Sequence, residues 1–218
     1  MVIREMLSPI EIEQVPHIHL PENPITIIKH RELESGEHLE LLIPEQIINK
    51  RVAEIALAIK CDYEALLPNV VFIPIETGGG RFLKLLQREI PDIITKERVQ
   101  PMRIKSYFGA QSTGDLQFLP PYLDLKKISD EHALIIEDIY DTGLTLRGAI
   151  EKVQQGKPAS ISIAILLDKQ GVPGRISVPE IDYCGFKIDN EFVVGASCLD
   201  HNERFRDEKS LWVLVGAD

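Results

Sequence analysis

Residues 134–145 read Leu-Ile-Ile-Glu-Asp-Ile-Tyr-Asp-Thr-Gly-Leu-Thr. Two acids, Glu137 and Asp138, follow a short apolar run, and a third, Asp141, stands at the tip of the turn that comes next. Gly143 permits a positive φ or the close approach of a ligand. If a helix begins just beyond, its first N–H groups form an anion site, and the hydroxyls of Thr142 and Thr145 add donors. One short segment thus offers carboxylates for hydroxyls or a cation, beside a cradle for a phosphate. A sugar phosphate needs both. The competing reading is a plain capped helix, with Asp141-Thr142-Gly143 as its N-cap and turn. Two acids at the end of a buried strand weigh against it, because acids there are costly unless solvated or ligated.

The elements that must hold this segment follow from the apolar pattern. Ala133 to Ile136 reads as a strand buried on both faces, and Leu146, Ala149, Ile150 and Val153 mark the inner face of a helix that Gly156 stops. Val70 to Ile73 is a similar strand ending at Pro74. Glu76-Thr77-Gly78-Gly79-Gly80 follows it, and then a helical stripe of Phe82, Leu83, Leu85 and Leu86. A third buried strand over 161–167 ends at Asp168-Lys169, and later strands are expected over 183–186, 192–194 and 211–215. Upstream, Pro44 opens a helix over 45–60 whose apolar face holds Ile47, Ile48, Val52, Ile55, Ala56 and Ile59. Short strands are expected over 25–28 and 39–43. Residues 93–120 read as a long loop or hairpin. Alternating β and α elements with apolar strands give an α/β fold around a mostly parallel sheet. Ligands of such sheets bind beyond the carboxyl ends of the strands, where residues 77–80, 137–145 and 168–169 lie.

Composition narrows the function classes. The 218 residues are 44% hydrophobic and 27% charged, with a formal net charge of −10. That charge argues against nucleic acid and anionic membrane as partners, so a polyanion site has to be built locally. Cys61, Cys184 and Cys198 have no metal-ligand spacing and cannot all pair, which suits a reducing cytoplasmic setting. No apolar run approaches the length of a spanning helix, and residues 1–16 carry no continuous apolar core of a secretory signal. Residues 1–40, with Pro16, Pro21 and Pro24, read as an N-terminal arm preceding a domain over 41–218.

The segment 134–145 resembles the phosphoribosyl pyrophosphate signature of type I phosphoribosyltransferases. Further segments resemble the hypoxanthine–guanine branch of that family, in the family's order. They are Ser106-Tyr107 with Gln111-Ser112-Thr113-Gly114-Asp115, then Leu166-Leu167-Asp168-Lys169, then Gly185-Phe186 with Glu191-Phe192-Val193-Val194-Gly195. Last come Leu199-Asp200-His201-Asn202-Glu203 and Phe205-Arg206-Asp207. The resemblance implies a mostly parallel sheet flanked by helices, with a small hood. It implies a magnesium-dependent glycosyltransferase of purine salvage, moving the phosphoribosyl group from phosphoribosyl pyrophosphate to a 6-oxopurine, and working as a cytoplasmic homodimer or homotetramer. A phosphoribosyl pyrophosphate-binding regulatory relative, and an enzyme of the same fold for xanthine, stay open beside it.

By the same resemblance, Glu137 and Asp138 hold ribose hydroxyls or magnesium, and 141–145 (Asp141, Thr142, Gly143, Leu144, Thr145) bind the 5′-phosphate. Asp141 takes the proton from the purine ring. Lys169 donates to the exocyclic oxygen and so penalises adenine. Phe192 stacks on the base and Val193 offers backbone groups to it, although Phe192 alone would read as core packing. Thr77, Gly78 and Arg206 contact pyrophosphate, Asp200 holds a second magnesium, and Ser106 and Tyr107 belong to a mobile lid over about 105–118. The chain departs from the family pattern at Glu76-Thr77, where leucine and lysine are usual, and at Ala196, where tyrosine is usual. It is also one residue longer between Gly195 and Asp200.

Overall fold

The apolar runs form a seven-stranded sheet whose middle is buried on both faces. The structure, a computed structural model, describes residues 17–18, 30–33, 36–106, 116–201, 204–205 and 207–216. In chain order these form β1 (His17–Ile18), β2 (His30–Glu32), β3 (His38–Ile43), α1 (Glu45–Tyr63), β4 (Val70–Glu76), α2 (Gly78–Glu89), β5 (Met102–Ser106) and β6 (Leu116–Leu119). Then follow β7 (His132–Tyr140), α3 (Leu144–Gln154), β8 (Ser160–Lys169), β9 (Tyr183–Ile188), β10 (Val193–Gly195) and β11 (Leu211–Val215). The main sheet runs β1-β9-β8-β7-β4-β5-β6. All its pairings are parallel except β5 with β6.

Alternation along the strands divides the core. Phe72, Leu134, Ile136 and Leu166 face one cluster, filled by Ile48, Val52, Ile59, Phe82 and Leu86 from α1 and α2. Val71, Ile73, Ile135 and Ile163 face the other, filled by Leu146, Ala149, Ile150 and Val153 from α3. A smaller antiparallel sheet, β10-β11-β3-β2, forms the hood, with Leu39, Val194, Phe205, Trp212 and Leu214 as its own cluster. Its strands β2 and β3 take residues from both sides of the boundary expected at 40. The strand expected over 25–28 lies outside the described residues.

Several local expectations change. Strand β4 runs through Pro74 to Glu76, because the missing N–H falls on the β5 side, between the Gln100–Phe72 hydrogen bond and the first β5 pair at Ile75. Residues 93–120, for which the sequence offers a long loop or a hairpin, do include a hairpin, with Arg103 opposite Leu119 and Ser106 opposite Leu116. Ile47 is exposed rather than on the inner face of α1. The buried polar residue of that helix is Arg51, which donates to the carbonyls of Gly185 and Cys184 at 2.9 Å each. α3 ends at Gln154, and Lys157, not Gly156, takes the positive φ. Gly156 is required by packing, since a Cβ there would stand 2.4 Å from the Ile128 side chain.

Candidate active site

The acid pair lies inside β7, not beyond its end. That strand continues through Tyr140 because β8 keeps pairing with it, Ile139 with Leu167 and Tyr140 with Asp168. Glu137 and Asp138 are therefore both buried. Glu137 Oε1 accepts the Asp138 N–H at 3.1 Å, and the Gly79 N–H also donates to the Glu137 carboxylate. Desolvation, then the charge of Asp138, pushes the Glu137 carboxyl well above its ordinary range. Burial raises Asp138 as well, against hydrogen bonds from Glu137 and the backbone that lower it. Two such carboxylates match a hard cation or sugar hydroxyls, which supply the positive partner that burial removes.

The glycines after β4 are explained by this pair. A Cβ on Gly78 would stand 1.9 Å from the Asp138 carboxylate, and one on Gly79 would stand 2.3 Å from the Ile136 carbonyl oxygen. The start of α2 is thus pressed against the acids, where its positive dipole end favours them. Thr77 is exposed at the N-cap position and makes no side-chain cap. Glu76, the departure from the family pattern, turns its carboxylate over Gly80, 2.5 Å from where a Cβ would be. It sits against the first turn of its own helix.

The segment after β7 is arranged differently. Gly143 has φ 83°, and a Cβ there would stand 2.3 Å from the Ile176 carbonyl oxygen. Ile176 N–H donates to the Thr142 carbonyl at 2.8 Å, and Tyr140 O–H donates to the Ile176 carbonyl at 2.8 Å. α3 begins at Leu144 with no side-chain cap, so the capped-helix reading of Asp141-Thr142-Gly143 does not describe it. Thr142 is exposed, and Leu144 and Thr145 are half-buried.

Asp141 and Lys169 meet. Lys169 Nζ donates to Asp141 Oδ2 at 3.2 Å; the lysine side chain is 10% exposed and the aspartate 44%. Register brings them together, because Tyr140 and Asp168 are opposite one another in the β7–β8 ladder and each precedes one of the pair. On the hood side Phe192 is 47% exposed, and its ring meets His201 edge-on at 5.1 Å between centroids. Core packing does not account for it. Val193 faces Val213 across β10 and β11, but the bond beside that pair runs from Leu214 N–H to the Phe192 carbonyl. The N–H and C=O of Val193 therefore point away from β11, along the open edge of the hood.

Asp200 Oδ1 accepts the Phe205 N–H at 3.2 Å. Among the described residues no three His, Cys, Asp or Glu side chains form a metal cluster, so Asp200 does not join Glu137 and Asp138 in one. Ser106 ends β5 opposite Leu116. Tyr107 and Arg206 lie outside the described residues, as does the middle of the expected lid.

Sequence reasoning missed the roles of four residues. The Gly79 N–H donates to Glu137; Tyr140 and Ile176 brace the turn after β7; and Arg175 donates to both the Tyr140 carbonyl, at 3.1 Å, and the Asp168 carboxylate. Only the glycine run signalled the first. The others depend on a return of the chain from residues 171–176 that no local periodicity marks.

A parallel sheet with buried acids and a glycine turn toward its carboxyl end, together with a small antiparallel hood, makes the molecule an α/β protein whose strand ends can receive a phosphorylated ligand. The chain belongs to the phosphoribosyl transferase domain family, whose model matches residues 43–201. It is 36% identical over 180 residues to the hypoxanthine-guanine-xanthine phosphoribosyltransferase of Tritrichomonas foetus, covering 80% of this chain and 90% of that protein. With the hypoxanthine-guanine phosphoribosyltransferase of Homo sapiens it shares 33% over 187 residues, 82% of this chain and 83% of that one. A solved hypoxanthine phosphoribosyltransferase from Staphylococcus aureus superposes with TM-score 0.70 at 33% identity, over 82% of this chain and 94% of that chain. The type I phosphoribosyltransferase fold expected from the sequence is the fold of the molecule.

Proposed function

We propose that this chain is an enzyme of purine salvage that transfers the phosphoribosyl group from phosphoribosyl pyrophosphate to hypoxanthine or guanine. One observation carries the base assignment: the 3.2 Å contact between Lys169 Nζ and Asp141 Oδ2. A 6-oxopurine presents its ring nitrogen N7 and its exocyclic oxygen on one edge, and adenine presents an amino donor in place of that oxygen. A carboxylate that accepts the N7 proton and an ammonium that donates to the oxygen must then be neighbours, as these two are.

In the reaction the base nitrogen forms a bond to the anomeric carbon, and the bond to pyrophosphate breaks with its electron pair. The ring proton passes to Asp141, whose charge also offsets the developing oxocarbenium. Thr142, Gly143, Leu144 and Thr145 hold the 5′-phosphate at the start of α3. Phe192 stacks on the base while the backbone of Val193 meets its edge. Thr77, Gly78 and Arg206 hold pyrophosphate. The hydroxyls of the ribose go to Glu137 and Asp138, and magnesium fits that same pair, with Asp200 for a second ion. When bound, magnesium neutralises charge on the sugar pyrophosphate. Ser106 and Tyr107 belong to a cover over about 105–118, part of a domain over 41–218 that follows an arm over 1–40, and this cover closes to exclude water and opens for exchange.

Among the described residues no helix is long and apolar enough to cross a membrane, and the three cysteines are free. We read the chain as cytoplasmic, and as a homodimer or homotetramer that sedimentation of the purified protein would report. The function is tested by incubating that protein with phosphoribosyl pyrophosphate, magnesium and hypoxanthine, guanine, xanthine or adenine. A buried donor facing a donor costs about 1–3 kcal/mol, so adenine should be slower by roughly 10- to 10²-fold. Comparable turnover of adenine overturns the base assignment, and no turnover of any base overturns the enzyme. Hydrogen exchange over 105–118 that stays unchanged with all substrates mimicked overturns the cover.

A further inference from the structure

β7 and β8 stay in register up to Tyr140 and Asp168, and the two side chains that face the base come one residue later. Something must fix that last rung, because a strand end is where pairing frays and Asp141 is already past it. The chain supplies a brace from the turn after β8. Arg175 Nη2 donates to the Tyr140 carbonyl at 3.1 Å and to the Asp168 carboxylate. Its guanidinium lies over the Tyr140 ring, with Cζ 3.4 Å from the centroid. The next residue continues the brace. Ile176 accepts from Tyr140 O–H, donates to the Thr142 carbonyl, and its own carbonyl oxygen fills the space that a Cβ on Gly143 would need. One dipeptide therefore touches the residue before Asp141, the two after it, and the residue before Lys169.

We propose that Arg175 is a positioning residue: with Ile176 it sets the separation of Lys169 and Asp141, and through it the rate and the preference for a 6-oxopurine. The inference rests on the reading of those two residues given above. Arginine is required rather than any cation. A planar guanidinium stacks on the tyrosine while one nitrogen serves two acceptors, and an ammonium keeps the charge opposite Asp168 but loses the stacked fork. Asp168 and Arg175 are mostly buried, with side chains 14% and 19% exposed, so this pair is held with little freedom. An ordinary structural ion pair in the same place would affect stability alone.

The test compares wild type with Arg175→Lys, Arg175→Gln and Tyr140→Phe, each measured for melting temperature, kcat, KM for phosphoribosyl pyrophosphate, and the ratio of hypoxanthine to adenine turnover. A misplacement on the order of 1 Å at reacting groups costs about 10²-fold. Arg175→Lys is therefore expected to stay folded, with little change in the sugar KM, a kcat about 10- to 10²-fold lower, and a reduced preference for hypoxanthine. Tyr140→Phe removes only the bond to Ile176 and should move the same quantities less, which keeps the test available if Arg175→Gln fails to fold. A lower melting temperature with kcat and preference unchanged overturns the positioning role. So does a loss of kcat with the preference intact, since the contact to the exocyclic oxygen would then be unmoved. Inactive wild type overturns the functional reading and this inference together, whereas active wild type with unaltered variants overturns the inference alone.

Discussion

Two strand–turn–helix units stand side by side in the main sheet, β4–α2 and β7–α3, and they fill their glycine turns in opposite ways. Neither helix has a side-chain cap. In the first unit the protein's own carboxylates occupy the turn. Glu76 lies over Gly80, Asp138 lies over Gly78, and the Gly79 N–H bonds Glu137. In the second, a carbonyl braces Gly143 from behind, and the exposed Thr142 stands at the mouth of α3. A glycine turn before a helix is thus not in itself a cradle for a ligand. The acids of the neighbouring strand make the difference: Glu137 and Asp138 lie against the first turn of α2, whereas a backbone carbonyl stands against the turn before α3.

The largest expected effect tests the second turn. Asp141→Asn keeps the shape and removes the proton acceptor, so turnover should fall roughly 10²–10⁴-fold with a modest change in sugar binding. Steady-state kinetics of the purified variant measures this. Near-normal turnover would reduce the turn to a phosphate site and remove Asp141 from the chemistry.

A smaller effect tests the first. Glu137 and Asp138 hold their protons above the ordinary carboxylate range when folded, so the folded state binds more protons than the unfolded one. Their contribution is full below the ordinary values and is lost as pH rises through the raised ones. Melting temperature in chelator should therefore drift downward from about pH 5 toward neutrality, and magnesium should oppose the drift. Glu137→Gln should flatten it. A profile already flat in the wild-type chain would mean that the start of α2 satisfies both acids without a ligand.

The smallest effect concerns Thr77. If the backbone of the first turn and not its side chain meets pyrophosphate, Thr77→Lys should tighten pyrophosphate or leave it unchanged, as product inhibition would report. A severe loss of activity would show that the arrangement of Thr77 and Glu76 is itself required, and the two turns would then be closer in role than their packing suggests.

What the sequence disclosed follows from where its signals are local. The apolar runs at 70–73, 133–136 and 161–167 identified β4, β7 and β8, and the acids beside Gly143 identified the turn, because hydrophobic period and turn chemistry are written in neighbouring residues. Strand ends were less legible. Glu137 to Tyr140 looks like the start of a loop, since charge disguises a strand whose pairing is fixed by β8. Arg51 sits within the apolar face of α1 because carbonyls on β9 receive it, which no pattern in that helix announces. The meeting of Lys169 with Asp141, and the return of Arg175 to Tyr140, are matters of register between distant segments. Phe192 is the opposite case, a residue whose type suggested core and whose place at the end of the hood leaves it exposed.

The hood also has an order of assembly. β11 lies between β10 and β3, and every ladder that joins β10 to β3 passes through it. The β4–β7–β8 ladder, by contrast, needs nothing beyond Lys169. During synthesis the strands that frame the turn after β7 can pair while β11 is still inside the ribosome, but β10 cannot pair within the hood until β11 has emerged. The hood therefore gains its most non-local pairing, that of β11 with β3, last.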